Sequence, residues 1–314
     1  MDYYYRKGTD LIGLRMLPLE TGYTSTTVNW AQMENEGVEV ALTTRNIHTK
    51  DFTWFTNLNF GYNDNTVLRE TVAENAIKPS REGYSVGAIF AYKTAGLDDE
   101  GYPLFLTQDG RKVTATEFFK LNNAGASTLS AEEQRNLYSY IGSTEPKVSG
   151  GFMNTFKYKR VTLGINCIFN FGMYVQTTPT YDPTNYDRGL NSNRDILNRW
   201  TPDHTNTTLP KLMTENDGRT GEYLRYKEQN LFRELDIWVK KQNYFRFESI
   251  RLGYELPEKW LKPVGIKSAS VSLEGRNLWV IASNYHNYLD PETMGNPYAA
   301  PIPKSFICGL NVNF

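Results

Sequence analysis

The last ten residues, Ser305 to Phe314, alternate without a break. Phe306, Cys308, Leu310, Val312 and Phe314 share one phase, while Ser305, Ile307, Gly309, Asn311 and Asn313 share the other. A side-chain period of 2 is a β-strand. One phase is uniformly apolar and the other is small or polar apart from Ile307, so the two faces meet different surroundings. On this stretch alone, a membrane-spanning sheet and the terminal strand of a soluble sandwich both satisfy the pattern.

The rest of the 314 residues narrows the choice. Net charge is -1 and the pI is near 6.4, so no basic field favours nucleic acid. Mean hydropathy is -0.54, and no apolar run approaches the ~18–20 residues of a membrane helix. Alternating strands keep mean hydropathy low, so a membrane barrel stays open. Aromatic residues make up 14% of the chain, with 21 Tyr, 16 Phe and 6 Trp. Barrels place such residues in girdles at both membrane interfaces.

Several chemistries are disfavoured. Cys167 and Cys308 each sit in an apolar strand phase and read as small packing residues rather than a disulfide, metal or nucleophile. His48, His204 and His286 are far apart with no ligand spacing. No cofactor is expected. Asp98-Asp99-Glu100 has carboxylates of the kind calcium takes, but lacks the spacing of a dedicated loop and reads as a solvated turn.

In chain order, Asp2 to Arg6 reads as a first strand, and a polar segment then runs through Gly8, Gly13, Pro18 and Gly22 to Gly37. Val38 to Thr43 is a second strand. A third runs from Phe52 to Tyr62, matching the ~9–11 residues of a tilted membrane strand. A long excursion, Asn63 to Pro146, contains one helix, with Ser130 and Glu133 as a capping box, Leu129 as its staple and Gly142 as its terminator. Val148 to Tyr158 and Val161 to Val175 are the fourth and fifth strands. A second excursion, Gln176 to Asn243, holds four prolines and a helical patch near Asp195 to Trp200. In the sixth strand, Tyr244 to Leu256, the apolar phase slips by one residue, which predicts a bulge at Glu248-Ser249. Ala269 to Trp279 is the seventh strand and Ser305 to Phe314 the eighth.

Long connections follow strands one, three, five and seven, and short ones follow two, four and six. An up-and-down barrel in an outer membrane has this parity, with short periplasmic turns and long extracellular loops. The expected fold is therefore all-β: an antiparallel up-and-down transmembrane β-barrel in the outer membrane. Such barrels commonly end on an aromatic residue that the barrel-assembly machinery reads. Phe306, Leu310, Val312 and Phe314 are accordingly the expected assembly signal. Met1 is followed at once by DYYYRKG, with no signal peptide, so the numbered chain is expected to be missing its own beginning.

Several stretches resemble the carboxy-terminal part of the SusC/RagA family of TonB-linked outer-membrane proteins. They are Asn35-Glu36-Gly37-Val38-Glu39, Val86 to Lys93 with Gly96-Leu97-Asp98, and Arg199-Trp200-Thr201-Pro202. Asn243-Tyr244-Phe245-Arg246, Leu252 to Pro257, Gly275 to Trp279 and Leu289-Asp290-Pro291-Glu292 continue the series in order. The resemblance implies about eight carboxy-terminal strands of a roughly 22-stranded barrel, whose plug domain and first half lie outside this chain. It implies import of glycans, or other large oligomers including peptides, with a SusD-like surface lipoprotein as lid and TonB acting through the plug. In that setting Tyr181, Tyr186, Trp200, Tyr223, Tyr226 and Trp238 are candidate loop platforms for substrate, and Asn311 and Asn313 a polar lumen wall; ordinary loop packing is the heavier reading for each. A self-contained eight-stranded barrel acting as an adhesin is the alternative. A glycan-active enzyme would need two converging carboxylates, and no strand end presents such a pair.

Overall fold

The computed structural model describes residues 1–17, 19–23, 25–185, 192–282, 290–296, 299–300 and 302–314. Eight strands form one antiparallel sheet: β1 (Asp2–Met16), β2 (Ser25–His48), β3 (Phe52–Arg69), β4 (Val148–Tyr158), β5 (Val161–Phe171), β6 (Tyr244–Glu255), β7 (Ser268–Ala282) and β8 (Ser305–Asn313). Each pairs with its sequence neighbour in this sheet, β1 through β8, in an up-and-down meander. Among the described residues β1 and β8 do not pair with each other, so the eight strands make an open wall. That corrects the alternative of a self-contained eight-stranded barrel, which would need its last strand laddered to its first.

The ladder registers carry the apolar phase across the wall. Leu42 lies opposite Leu58, Leu58 opposite Phe152, Phe152 opposite Cys167, Cys167 opposite Phe247 and Phe247 opposite Trp279. Directly paired residues share a face, so six strands contribute to one apolar row. A second row runs Trp54, Phe156, Leu163, Leu252, Leu273, Cys308. Cys167 is buried between its larger neighbours in the first row, while Leu252, Leu273, Phe306, Leu310 and Phe314 stand exposed. The expected bulge is present: the ladders skip Glu248 between Phe247 and Ser249. That skip keeps Phe245, Phe247, Ile250 and Leu252 on one face despite the slip in sequence phase.

The polar segment expected between the first two strands is instead strand. β1 continues to Met16 and β2 begins at Ser25, with bulges near Leu11. A 24-residue strand at ~3.4 Å per residue reaches far beyond a ~30 Å hydrocarbon core. Outside the bilayer both faces of a hairpin meet water, so the ladder alone specifies it and no apolar phase is needed. β3 likewise runs on to Arg69.

The two long excursions fold together over one end of the wall. Their shared core holds Tyr92, Phe105, Phe118, Phe119 and Tyr138 from the first excursion, and Tyr181, Met213, Tyr226, Phe232 and Trp238 from the second. The Tyr92 N–H donates to Glu234 O at 2.9 Å and the Asp236 N–H to Tyr92 O at 3.0 Å, stitching the two together. The capping-box helix forms as α2 (Ala131–Arg135) after α1 (Ala115–Phe119). It ends at Asn136; Gly142, the expected terminator, lies in a short strand, Ser139–Ser143, paired with Ala88–Ala91. Gln134 stands where a staple partner of Leu129 would be, and its amide donates to the Leu129 carbonyl at 3.0 Å. A ten-residue helix, α3 (Thr220–Gln229), follows in the second excursion, and α4 (Glu258–Leu261) fills the turn after β6.

Candidate functional site

The polar phase of the wall is the second face. Thr155 opposes Gly164, Gly164 opposes Arg251, Arg251 opposes Glu274, and Glu274 opposes Ile307. Thr155, Gly164, Arg251 and Glu274 border a concavity of about 470 Å³. Nothing stands within 4 Å of where a Gly164 side chain would begin, so that glycine leaves its floor open. Asn166 donates to Glu248 at 2.6 Å and Arg276 to Glu274 at 2.6 Å. Asn311 and Asn313 lie exposed on this face and border a neighbouring hollow beside Ser270 at the short-turn end.

At the long-loop end of the same face, Arg246 is 2% exposed. Its guanidinium donates to Asp290 and, at 2.8 Å, to Glu292. Asp290 and Glu292 therefore do converge, but on one buried cation. Both accept from the same guanidinium, which is not the arrangement of an acid and a base flanking a bond. The pair instead ties the 290–296 segment to β6.

The predicted loop aromatics are placed as follows. Tyr181, Tyr223, Tyr226 and Trp238 are buried in the loop core, and Tyr181 donates its hydroxyl to Pro210 O at 2.8 Å. Burial holds the Tyr181 and Tyr226 hydroxyls well above the usual phenol range. Four of the six thus present no free ring face, because two excursions of this length need an aromatic core of their own. Trp200 is half-buried over Gly101, which has a positive φ and, as glycine, no Cβ to meet the indole. Thr201 and His204 exchange backbone hydrogen bonds beside it, making a loop corner. Tyr186 lies outside the described residues. The Asp98 carboxylate accepts from Arg219 at 2.7 Å and from the N–H groups of Glu100 and Tyr102, so its oxygens serve the turn itself.

An aromatic pair that the sequence reading passed over is exposed. Tyr84 and Tyr140 stack with ring centroids 4.7 Å apart, and Phe90 meets both edge-on. Tyr84 and Tyr140 both keep open surface. They border a hollow of about 220 Å³ with Asn63, Asn65, Lys147 and Glu145. Asn65 is buried there, accepting from the Val86 N–H at 2.8 Å, and Lys147 pairs with Asp64 at 3.3 Å. The link between Tyr84 and Tyr140 depends on the pairing of two distant short strands, Ala88–Ala91 and Ser139–Ser143.

No family model matches the chain. Known proteins do. TonB-dependent receptor P3 of Formosa agariphila is 26% identical over 346 aligned positions, which take in all of this chain and 32% of that protein. The receptor SusC of Bacteroides thetaiotaomicron is 22% identical, again over all of this chain and 30% of its own length. A solved structure of the RagAB peptide transporter superposes with a TM-score of 0.74 at 23% identity, covering 99% of this chain and 33% of that one. The chain spans about a third of the length of the curated relatives it matches. The likeness to the solved structures establishes the wall as part of a β-barrel of this kind.

Proposed function

With the chain a relative of the TonB-dependent receptors of SusC and RagA type, we propose that it forms the carboxy-terminal wall and extracellular loops of an outer-membrane importer of large oligomeric nutrients. The carrying observation is the register itself: apolar rows on one face of the wall, and a polar, concave opposite face bordered by Arg251 and Glu274. An alternating wall of that kind separates lipid from an aqueous lumen. In this reading 1–314 is one portion of the receptor barrel, and plug, TonB contact and remaining strands belong to other parts of the protein. A SusD-like surface lipoprotein would close over the loop end. The work done here is binding and passage, with no bond chemistry.

The Tyr84–Tyr140 pair supports an oligosaccharide as substrate, since sugar rings stack on exposed aromatic faces beside amide and hydroxyl groups. A peptide is the second reading, favoured by Lys147, Asp64 and Glu145 around the same hollow and by the likeness to the RagAB peptide transporter. Uptake separates them. Cells carrying the full receptor are given fluorescent oligosaccharides or oligopeptides, and outer membranes are probed for the receptor and a co-purifying lipoprotein. Tyr84→Ala with Tyr140→Ala should weaken capture of the true substrate about three- to tenfold, the scale of a lost aromatic contact. Receptor absent from the outer-membrane fraction would sink the import reading.

A further inference from the structure

The apolar face of the wall has a polar interruption. Thr44 opposes Thr56 and Thr56 opposes Asn154, in a row that continues into Ile165 and Ile250. These groups form a directed hydrogen-bond chain. Thr44 donates to Asn46 Oδ1 at 2.9 Å, Asn46 Nδ2 to Thr56 Oγ1 at 2.6 Å, and Thr56 to Asn154 Oδ1 at 2.6 Å. The Trp54 indole donates to the same Asn154 oxygen at 2.9 Å. Both lone pairs of that oxygen are used, whereas the Asn154 amide N–H groups have no acceptor among the described residues. Leu42, Leu58, Phe152 and Phe156 surround the row. A free amide donor facing hydrocarbon is costly and calls for an acceptor.

The rim below this row is basic. The turn carrying Lys50 and Asp51 lies against the turn carrying Lys159 and Arg160, with the Lys159 N–H donating to Asp51 O at 2.8 Å. Lys50, Lys159 and Arg160 are exposed, and Lys159 reaches over the Tyr158 ring at 5.3 Å. Asn154 is five residues above Lys159, roughly 12 Å along the membrane normal for a strand tilted ~40°. A cationic rim, an aromatic girdle and then a lone amide donor follow the order of groups along a glycerophospholipid. We propose that the β2–β3–β4 face binds one anionic glycerophospholipid of the periplasmic leaflet. Lys50 and Lys159 hold its phosphate, the Asn154 amide donates to an ester carbonyl, and the acyl chains lie on Leu42, Leu58 and Phe152. The proposal rests on the membrane reading of the apolar face.

Native mass spectrometry of the full receptor in mild detergent tests it, with phosphatidylglycerol or phosphatidylcholine added. The unaltered receptor should retain phosphatidylglycerol preferentially. Asn154→Leu, and separately Lys50→Gln with Lys159→Gln, should each lower occupancy of the tightest-held phosphatidylglycerol at least fivefold, with heat-modifiable mobility unchanged. Unchanged occupancy in both variants overturns the site. So does dissociation of receptor copies by Asn154→Leu with lipid retention intact, which would assign the face to protein contact. Should Asn154→Leu fail to assemble, the lysine variant decides, because its changes lie in turns outside the bilayer. A wild-type receptor lacking a heat-modifiable, membrane-embedded form would instead defeat the membrane reading.

Discussion

At the scale of single residues, the strongest commitments are buried charges that hold loops in place. Arg246 is enclosed against Asp290, with Glu292 at its more open side, and removing it would strand the Asp290 carboxylate away from water. Breaking a buried pair by deleting one partner costs roughly 3–5 kcal/mol. Arg246→Leu should therefore release the 290–296 segment while the wall stays laddered. Limited proteolysis would report new cleavage there, and an unchanged digest would contradict the tether. Asp217 makes a pH-dependent counterpart. Burial pushes its carboxyl up, but hydrogen bonds from Thr214, Lys211 and Tyr102 outweigh that and hold it down at about 2. The native loop domain thus binds this proton less readily than the unfolded chain. The stability it contributes is complete above the ordinary carboxylate range near ~4 and is lost as pH falls through about 2. Asp217→Asn should flatten the acid limb of loop-domain unfolding between those values, followed by Trp fluorescence. An acid limb as steep as the parent's would contradict this.

At the scale of elements, legibility followed whether a strand meets two media. β4, β6, β7 and β8 were readable almost to their ends, because lipid on one side and water on the other imprint a period of 2, and even the Glu248 bulge left a trace as a slipped phase. β5, expected to reach Val175, stops at Phe171, where Gly172 at positive φ turns the chain and Tyr174–Gln176 pairs with Val239–Lys241 instead. The outer reaches of β1 and β2 meet water on both faces and leave no such imprint. α2 announced itself through Ser130 and Glu133, which close a reciprocal capping box. α3 did not: its N-cap is Arg219 without a side-chain bond, and Glu222 and Arg225 occupy core-facing positions that disguise the helical period. The aromatic candidates could not be sorted for a related reason, since Tyr226 and Trp238 are buried in a core that both excursions build together. The exposed apolar phase of β8 makes its own prediction. Leu310→Asp places a charge on that face, where ionised groups are destabilising in a depth-dependent way. The heat-modifiable fraction in isolated outer membranes should fall, with substrate affinity of the assembled remainder unaltered. Normal assembly with weakened binding would move Leu310 to the lumen side.

At the scale of the whole molecule, wall and loops divide the labour. The wall supplies a two-faced partition whose polar side is shaped by Gly164, Arg251 and Glu274. The loops build a separate aromatic core and carry the exposed Tyr84–Tyr140 pair beside the outer end of β3. The two open margins of the sheet, β1 and β8, have a consequence of their own. Every second residue along each margin points its peptide N–H and C=O sideways into the bilayer plane, and each unmet group there costs several kcal/mol. Over a membrane-crossing strand that debt reaches the order of tens of kcal/mol, more than the folding stability of a typical domain. The two margins therefore behave as adhesive seams. Until other strands occupy both, the eight-stranded wall is a half-built vessel that lipid cannot hold, and any barrel it joins must be laddered to β1 on one side and β8 on the other.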